Sequence, residues 1–212
     1  MTYVLALYGA LVAALTFVEW RQTTRAQYIL KPLCALTFVL IAILSGALSS
    51  NYGVLILVAL IFCALGDVAL LLRDKPKLFL LGMGGFALGH ALYVAAFAGQ
   101  ELRMSGLLSG LGLGGTFAAL FILFLWKDVP RDMRLAVIGY TIIIALMLGT
   151  AAGFAFAKDI WIIYLAAIMF AASDFVVARD RFKTRAAWHP FVITPLYFGA
   201  QALFALSVAS VL

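Results

Sequence analysis

Three residues of this chain hold a titratable group where one is costly to keep. Asp67, His90 and Asp174 each interrupt a long apolar run, and ionisable side chains inside membrane-length apolar segments are functional candidates because an unpaired charge there is expensive. Two carboxylates sharing a low-dielectric site supply an acid and an anion together, the equipment for protonating a substrate and stabilising the cation that results. Counted from the expected ends of their segments, Asp67 and Asp174 both lie roughly 6–8 Å below one membrane interface, whereas His90 lies nearer roughly 18 Å in a straight helix. The carboxylates therefore share a depth, and His90 is expected farther from the chemistry.

Each candidate also has a plainer reading. An aspartate one turn from an interface can snorkel, cap a neighbouring helix or pair with a loop base, and a lone intramembrane histidine can serve as a helix-to-helix hydrogen-bond donor. Tyr93 shares the face of His90 three residues on, while Tyr197 and Gln201 lie one turn apart in the last apolar run. These three either line one cavity with the carboxylates or satisfy one another inside the bundle. Lys31, with Pro32 at the expected first position of a helix, reads as a ligand for a lipid phosphate or as an ordinary basic anchor. His189, beside Pro190 in a basic loop, reads as interfacial rather than catalytic.

Metal and nucleophile patterns are missing. Two histidines, no intramembrane glutamate, and Cys34 and Cys63 in apolar runs do not make a zinc centre, although Asp67, His90 and Asp174 could hold an ion weakly. There is no Gly-x-Ser-x-Gly elbow and no phosphate-cradling loop. The expected site is a carboxylate pair with no metal and no cofactor.

The elements that must position these groups follow from composition. Of 212 residues, 66% are hydrophobic and 11% charged, with a mean hydropathy of +1.13; soluble domains carry about 25% charged residues, so the excess apolar surface must face lipid. The net charge of +6 does not indicate nucleic acid, because the bases fall in short clusters between apolar runs, as in cytoplasmic loops. Uncharged windows of bilayer-spanning length predict eight helices, at 1–18, 32–49, 53–72, 78–100, 106–126, 135–157, 160–178 and 190–212, in one all-α transmembrane domain over 1–212. Residues 1–18 have no positive segment before them and read as a retained helix rather than a signal peptide.

Loop charge predicts the orientation. The loops after the first, third, fifth and seventh helices contain every lysine and arginine except Arg103 and Lys158, which under the positive-inside rule puts those loops in the cytoplasm and both termini outside it. The expected location is a bacterial inner membrane. Gly106, Gly110 and Gly114, like Gly85 and Gly89, recur every four residues, a pattern that lets helices approach closely within the bundle or across a homodimer seam. Gly66-Asp67 before Arg73-Asp74-Lys75 echoes Ser173-Asp174 before Arg179-Asp180-Arg181, a weak sign of four-plus-four duplication.

Lys31-Pro32-Leu33, Gly66-Asp67, the Gly-rich run through Phe86, Gly89-His90 and Tyr93, Ser173-Asp174, and Pro195-x-Tyr197 with Gln201 together resemble the YhhN family of membrane lysoplasmalogenases over nearly the whole chain. The resemblance implies eight spans and a hydrolase that cleaves the vinyl ether of a lysophospholipid, lysoplasmalogen, releasing a fatty aldehyde and glycerophosphoethanolamine or glycerophosphocholine. It further implies that Asp67 and Asp174 supply the acid and the stabilising anion, that His90 and Tyr93 line the deeper wall or assist the water, and that Lys31 meets the phosphate. Intramembrane Asp, His and Tyr also build proton-coupled carriers, and a non-catalytic lipid-binding protein is the third reading. A carrier needs titratable stations in both halves of the membrane, and the outer half offers almost none.

Overall fold

The computed structural model describes residues 1–71 and 76–211. The described residues are 88% helical and contain no strand. Eight helices are long and apolar enough to cross a membrane: α1 (Thr2–Trp20), α2 (Thr24–Leu44), α3 (Asn51–Leu70), α4 (Pro76–Ala98), α5 (Met104–Phe124), α6 (Arg134–Lys158), α7 (Trp161–Phe182) and α8 (His189–Val211). The molecule is an all-α polytopic integral membrane protein. The basic cluster Arg73-Asp74-Lys75, with its part in the sequence echo, lies outside the described residues.

Hydropathy found every helix, yet two boundaries differ from expectation in ways that matter. α2 starts at Thr24 rather than near residue 32, because polar Thr24, Arg25 and Gln27 form a first turn that an apolar window does not count. Lys31 and Pro32 are therefore inside the helix, where Pro32 removes the amide that would bond the Tyr28 carbonyl, a loss membrane helices tolerate. α7 continues to Phe182 rather than ending at 178, with Arg179 and Arg181 in its last turn, where cations suit the negative end of the helix dipole.

Sequential hairpins pair α1 with α2, α3 with α4, α5 with α6, and α7 with α8, while α8 also packs on α1, α2 and α3 and α4 packs on α6. α8 is the most enclosed span and α5 the least. The α2–α3 corner turns at Gly46, whose φ of 89° favours glycine, and α3 is capped by Ser50, whose hydroxyl accepts from the Gly53 amide at 3.1 Å.

Lipid tails are as apolar as leucine, so close packing rather than water exclusion holds such helices together. A Cβ on Gly106 would lie 2.6 Å from the Ala152 carbonyl oxygen, and one on Gly114 2.7 Å from the Ala145 Cα. The Gly106–Gly114 face is therefore filled by α6, and Gly89 approaches α3 at Ala59 and Cys63 in the same way; neither stripe is left as a homodimer seam. Fully enclosed Phe38, Phe97, Phe154, Phe170, Phe198 and Phe204 fill the centre.

Contacts between helix ends define two poles. At one, the Lys183 ammonium donates to the Phe124 carbonyl at 3.0 Å and the Arg181 guanidinium lies over the Phe79 ring. At the other, the Arg103 amide donates to the Gly153 carbonyl at 2.9 Å, and Lys158 donates to Glu101 at 2.7 Å, holding that exposed carboxyl below the usual range.

Candidate functional site

Near the pole carrying Arg181, a cavity of about 130 Å³ opens between the helices, lined by Lys31, Asp67, Tyr140, Asp174, Arg181 and Tyr197 on its polar side and by Phe79, Phe117 and Phe121 on its apolar side. A water occupies about 30 Å³ in the liquid, so this space suits a few waters or a glycerol-sized fragment. Anything carrying a long acyl or alkenyl chain must extend beyond it along the apolar wall.

Asp67 sits in the last turn of α3 and is almost completely enclosed. Its Oδ2 accepts a hydrogen bond from the Tyr197 hydroxyl at 2.6 Å, and its Oδ1 lies 3.7 Å from the Lys31 ammonium. Behind Tyr197 the chain of bonds continues: Gln201 Nε2 donates to the Tyr197 oxygen at 3.1 Å, and the Tyr93 hydroxyl donates to Gln201 Oε1 at 2.6 Å. Lys31 is shared, since Glu19 Oε1 is also 3.7 Å from its ammonium, and Thr194 donates to the second Glu19 oxygen. One ammonium thus stands between two carboxylates.

Asp174 has different company. Its Oδ2 accepts from the Tyr140 hydroxyl at 2.7 Å and lies 3.7 Å from His90 Nε2. His90 Nδ1 is 2.5 Å from the Phe86 carbonyl oxygen; a carbonyl cannot donate, so the Nδ1 proton lies in that bond. In the neutral ring Nε2 is then a lone pair, and it has no hydrogen-bond partner within the protein. Two acceptors facing each other at this spacing are reconciled by a proton or a water between them. The ring is held edge-on to Phe170, with centroids 4.3 Å apart. Among the described residues, no lysine or arginine is within ion-pair range of Asp174.

Asp67 and Asp174 do line one cavity, as the spacing suggested, but each carboxylate is hydrogen-bonded to its own tyrosine rather than to the other. Their depths counted along the helices are unequal: Asp67 is in the last turn of α3, whereas the longer α7 places Asp174 two turns before its end. That extension is also why His90, expected far away, meets Asp174. Tyr93 and Gln201 do not line the cavity; both are fully enclosed and support Tyr197 from behind. His189 is enclosed at the α7–α8 corner, where its Nδ1 lies 2.7 Å from Asp180 Oδ1 and its Nε2 2.7 Å from an Arg179 nitrogen. Asp67, His90 and Asp174 do not converge as a ligand set, and among the described residues no cluster of three His, Cys, Asp or Glu side chains suits a metal.

Glu19, Tyr140 and Arg181 escaped the sequence reading. Glu19 is the only acid before Asp67, a signal hidden by its closeness to the first basic cluster. Tyr140 sits in an apolar helix and looks like core, with its partner 34 residues away. Arg181 looked like one more loop base.

Eight membrane-length helices around a cavity walled by two carboxylates define a polytopic membrane protein with an intramembrane polar site. The chain belongs to the YhhN family, whose model matches residues 26–208. It is similar to the lysoplasmalogenase TMEM86B of Homo sapiens, at 34% identity over 161 residues covering 75% of this chain and 65% of that protein. It is also similar to TMEM86B of Sus scrofa, at 34% over 155 residues (71% and 62%), and to the lysoplasmalogenase TMEM86A of Bos taurus, at 30% over 203 residues (90% and 82%). The chain thus spans somewhat less than two thirds of the two TMEM86B relatives. No solved structure matches it.

Proposed function

We propose that the protein is a lysoplasmalogenase-like hydrolase that cleaves the vinyl ether of a lysophospholipid by acid catalysis from Asp174, with Asp67 as the stabilising anion. Family membership supports the reaction class, and one observation carries the assignment of residues: both carboxylates border a single small cavity with an aromatic wall. Asp174 is the donor because its carboxyl reaches the cavity, with a side-chain exposure of 16% against 2% for Asp67, and because the facing His90 lone pair calls for a proton at that spot. Asp67 is the anion, with Lys31 as its counter-charge and Tyr197 as its positioning donor.

The sequence of steps closes on itself. Asp174 gives its proton to the β-carbon of the vinyl ether, leaving an oxocarbenium ion that the Asp67 carboxylate stabilises electrostatically. Water adds to the cationic carbon and passes one proton to the Asp174 carboxylate, directly or through His90 Nε2. The resulting hemiacetal collapses as Asp174 protonates the departing glycerol oxygen and recovers the hydroxyl proton, giving aldehyde and alcohol. The acid ends as it began.

Purified protein in detergent, given lysoplasmalogen, should release one fatty aldehyde per glycerophospho-alcohol by mass spectrometry and leave the 1-alkyl analogue intact, since that lacks the double bond to protonate. No aldehyde from any alkenyl lysolipid, with proton-linked uptake into vesicles instead, would favour the carrier. We further propose that the base-rich pole faces the cytoplasm of an inner membrane, so a reporter active only in the cytoplasm and fused after Leu212 stays silent; an active one would reverse the orientation.

A further inference from the structure

Glu19 is the penultimate residue of α1, where the negative end of the helix dipole disfavours a carboxylate, yet it is turned inward and mostly enclosed. Two partners hold it there. Its Oε1 lies 3.7 Å from the Lys31 ammonium, and its Oε2 accepts from the Thr194 hydroxyl. Asp67 repeats the pattern: its Oδ1 is 3.7 Å from the same ammonium, and its Oδ2 accepts from the Tyr197 hydroxyl at 2.6 Å. Thr194 and Tyr197 are three residues apart on one face of α8, so that helix gives a donor to each acid while α2 inserts one cation between them. Lys31 and Asp67 border the cavity, and Glu19 is joined to it through Lys31.

We propose that Glu19 is a positioning residue of the reaction, which holds Lys31 between two carboxylates so that Asp67 faces the cavity as part of a trio with one negative charge in excess. The inference rests on the hydrolase reading above and deepens it. A carboxylate paired one-to-one with an ammonium presents a dipole, whose attraction for an oxocarbenium ion fades faster with distance than that of a charge. Glu19 engages the same ammonium from its other side and restores the charge. Its Oε1 is no more than twice 3.7 Å from Asp67 Oδ1, and over such a distance a unit charge is still worth roughly tenfold in affinity for a cation at an effective dielectric of about 20. The help goes to the transition state, because the uncharged vinyl ether gains little from it.

The test reads the charge of the trio with ligands that cannot be cleaved. Dissociation constants are measured for a 1-alkyl lysophospholipid and for its 1-alkylamino counterpart, in which a secondary ammonium replaces the ether oxygen, the atom that shares the positive charge of the oxocarbenium ion. The purified protein is compared with Glu19→Gln and with Glu19→Gln combined with Lys31→Gln, and aldehyde release from lysoplasmalogen is followed in parallel. Glu19→Gln cancels the excess charge, so preference for the ammonium ligand and kcat should each fall by about tenfold, with KM and affinity for the ether ligand little changed. The double variant again carries one excess negative charge and should recover most of the preference, a rescue that a tie between helices would not give. Should Glu19→Gln alone not fold, the double variant carries the test, and it must keep the preference of the unaltered protein. Undiminished preference in Glu19→Gln, an equal loss of affinity for both ligands, or no preference in the double variant would overturn the proposal. Failure of the unaltered protein to release aldehyde, with a preference that depends on Glu19, would overturn the hydrolase reading alone.

Discussion

Asp67 and Asp174 are the same residue type on the wall of the same cavity, yet their surroundings are nearly opposite. Asp67 is enclosed, faces an ammonium shared with Glu19, and sits at the end of a hydrogen-bond chain running through Tyr197 and Gln201 to Tyr93. Asp174 is more open, and its polar partners among the described residues are the Tyr140 hydroxyl and an imidazole nitrogen. The proposal gives the first the role of holding a charge in place and the second that of exchanging a proton, because an ammonium beside a carboxylate favours its charged form whereas a carboxyl beside a neutral lone pair can pass a proton across. In the proposed reaction, identical side chains thus take different roles from their neighbours, as in other two-carboxylate sites.

The contrast can be broken at several points. The largest effect should come from Asp67→Asn, which keeps volume and hydrogen bonding but removes the anion; loss of one preorganised electrostatic partner typically costs about 10²–10³-fold in kcat, and steady-state kinetics on lysoplasmalogen would measure it. Near-normal kcat would remove Asp67 from the reaction.

Lys31→Gln should act on stability first. It leaves Asp67 and Glu19 facing each other without a cation, and breaking a buried ion pair from one side costs about 3–5 kcal/mol when fully enclosed, so with Lys31 partly accessible about 2 kcal/mol is expected. Thermal unfolding in detergent should show the drop, and Lys31→Gln with Asp67→Asn should recover part of it, the signature of coupled neighbours. Additive losses would mean that the pair is incidental.

Tyr140→Phe sharpens the comparison from the other side. It deletes a single hydrogen bond to Asp174, so about a tenfold fall in kcat with little change in unfolding temperature is expected from the worth of a bond to a charged or proton-exchanging group. An unchanged kcat would assign Tyr140 to packing alone.

Much of this was legible in the sequence. Eight helices could be counted because a lipid-facing span must be apolar throughout, and Asp67, His90 and Asp174 stood out because so few ionisable groups interrupt those spans. What hydropathy could not give was where helices continue through charged residues. α7 runs on past Arg179 and Arg181, which carries Asp174 deeper and brings it to His90, and α2 begins seven residues before Lys31, which turns an expected interfacial lysine into the partner of two acids. Tyr140 and Glu19 remained hidden for a different reason: their roles depend on partners distant in sequence, and neither a tyrosine in an apolar run nor an acid beside a basic loop advertises one.

The central claim is that Asp174 donates the proton that starts cleavage, and the turnover number of Asp174→Asn on lysoplasmalogen tests it most directly, with retained binding of the uncleavable 1-alkyl lysophospholipid as proof that the cavity still forms. General acid catalysis typically contributes about 10²–10⁴-fold, so kcat should fall by at least about two orders of magnitude while that binding persists. Turnover within a few-fold of the unaltered protein would contradict the account.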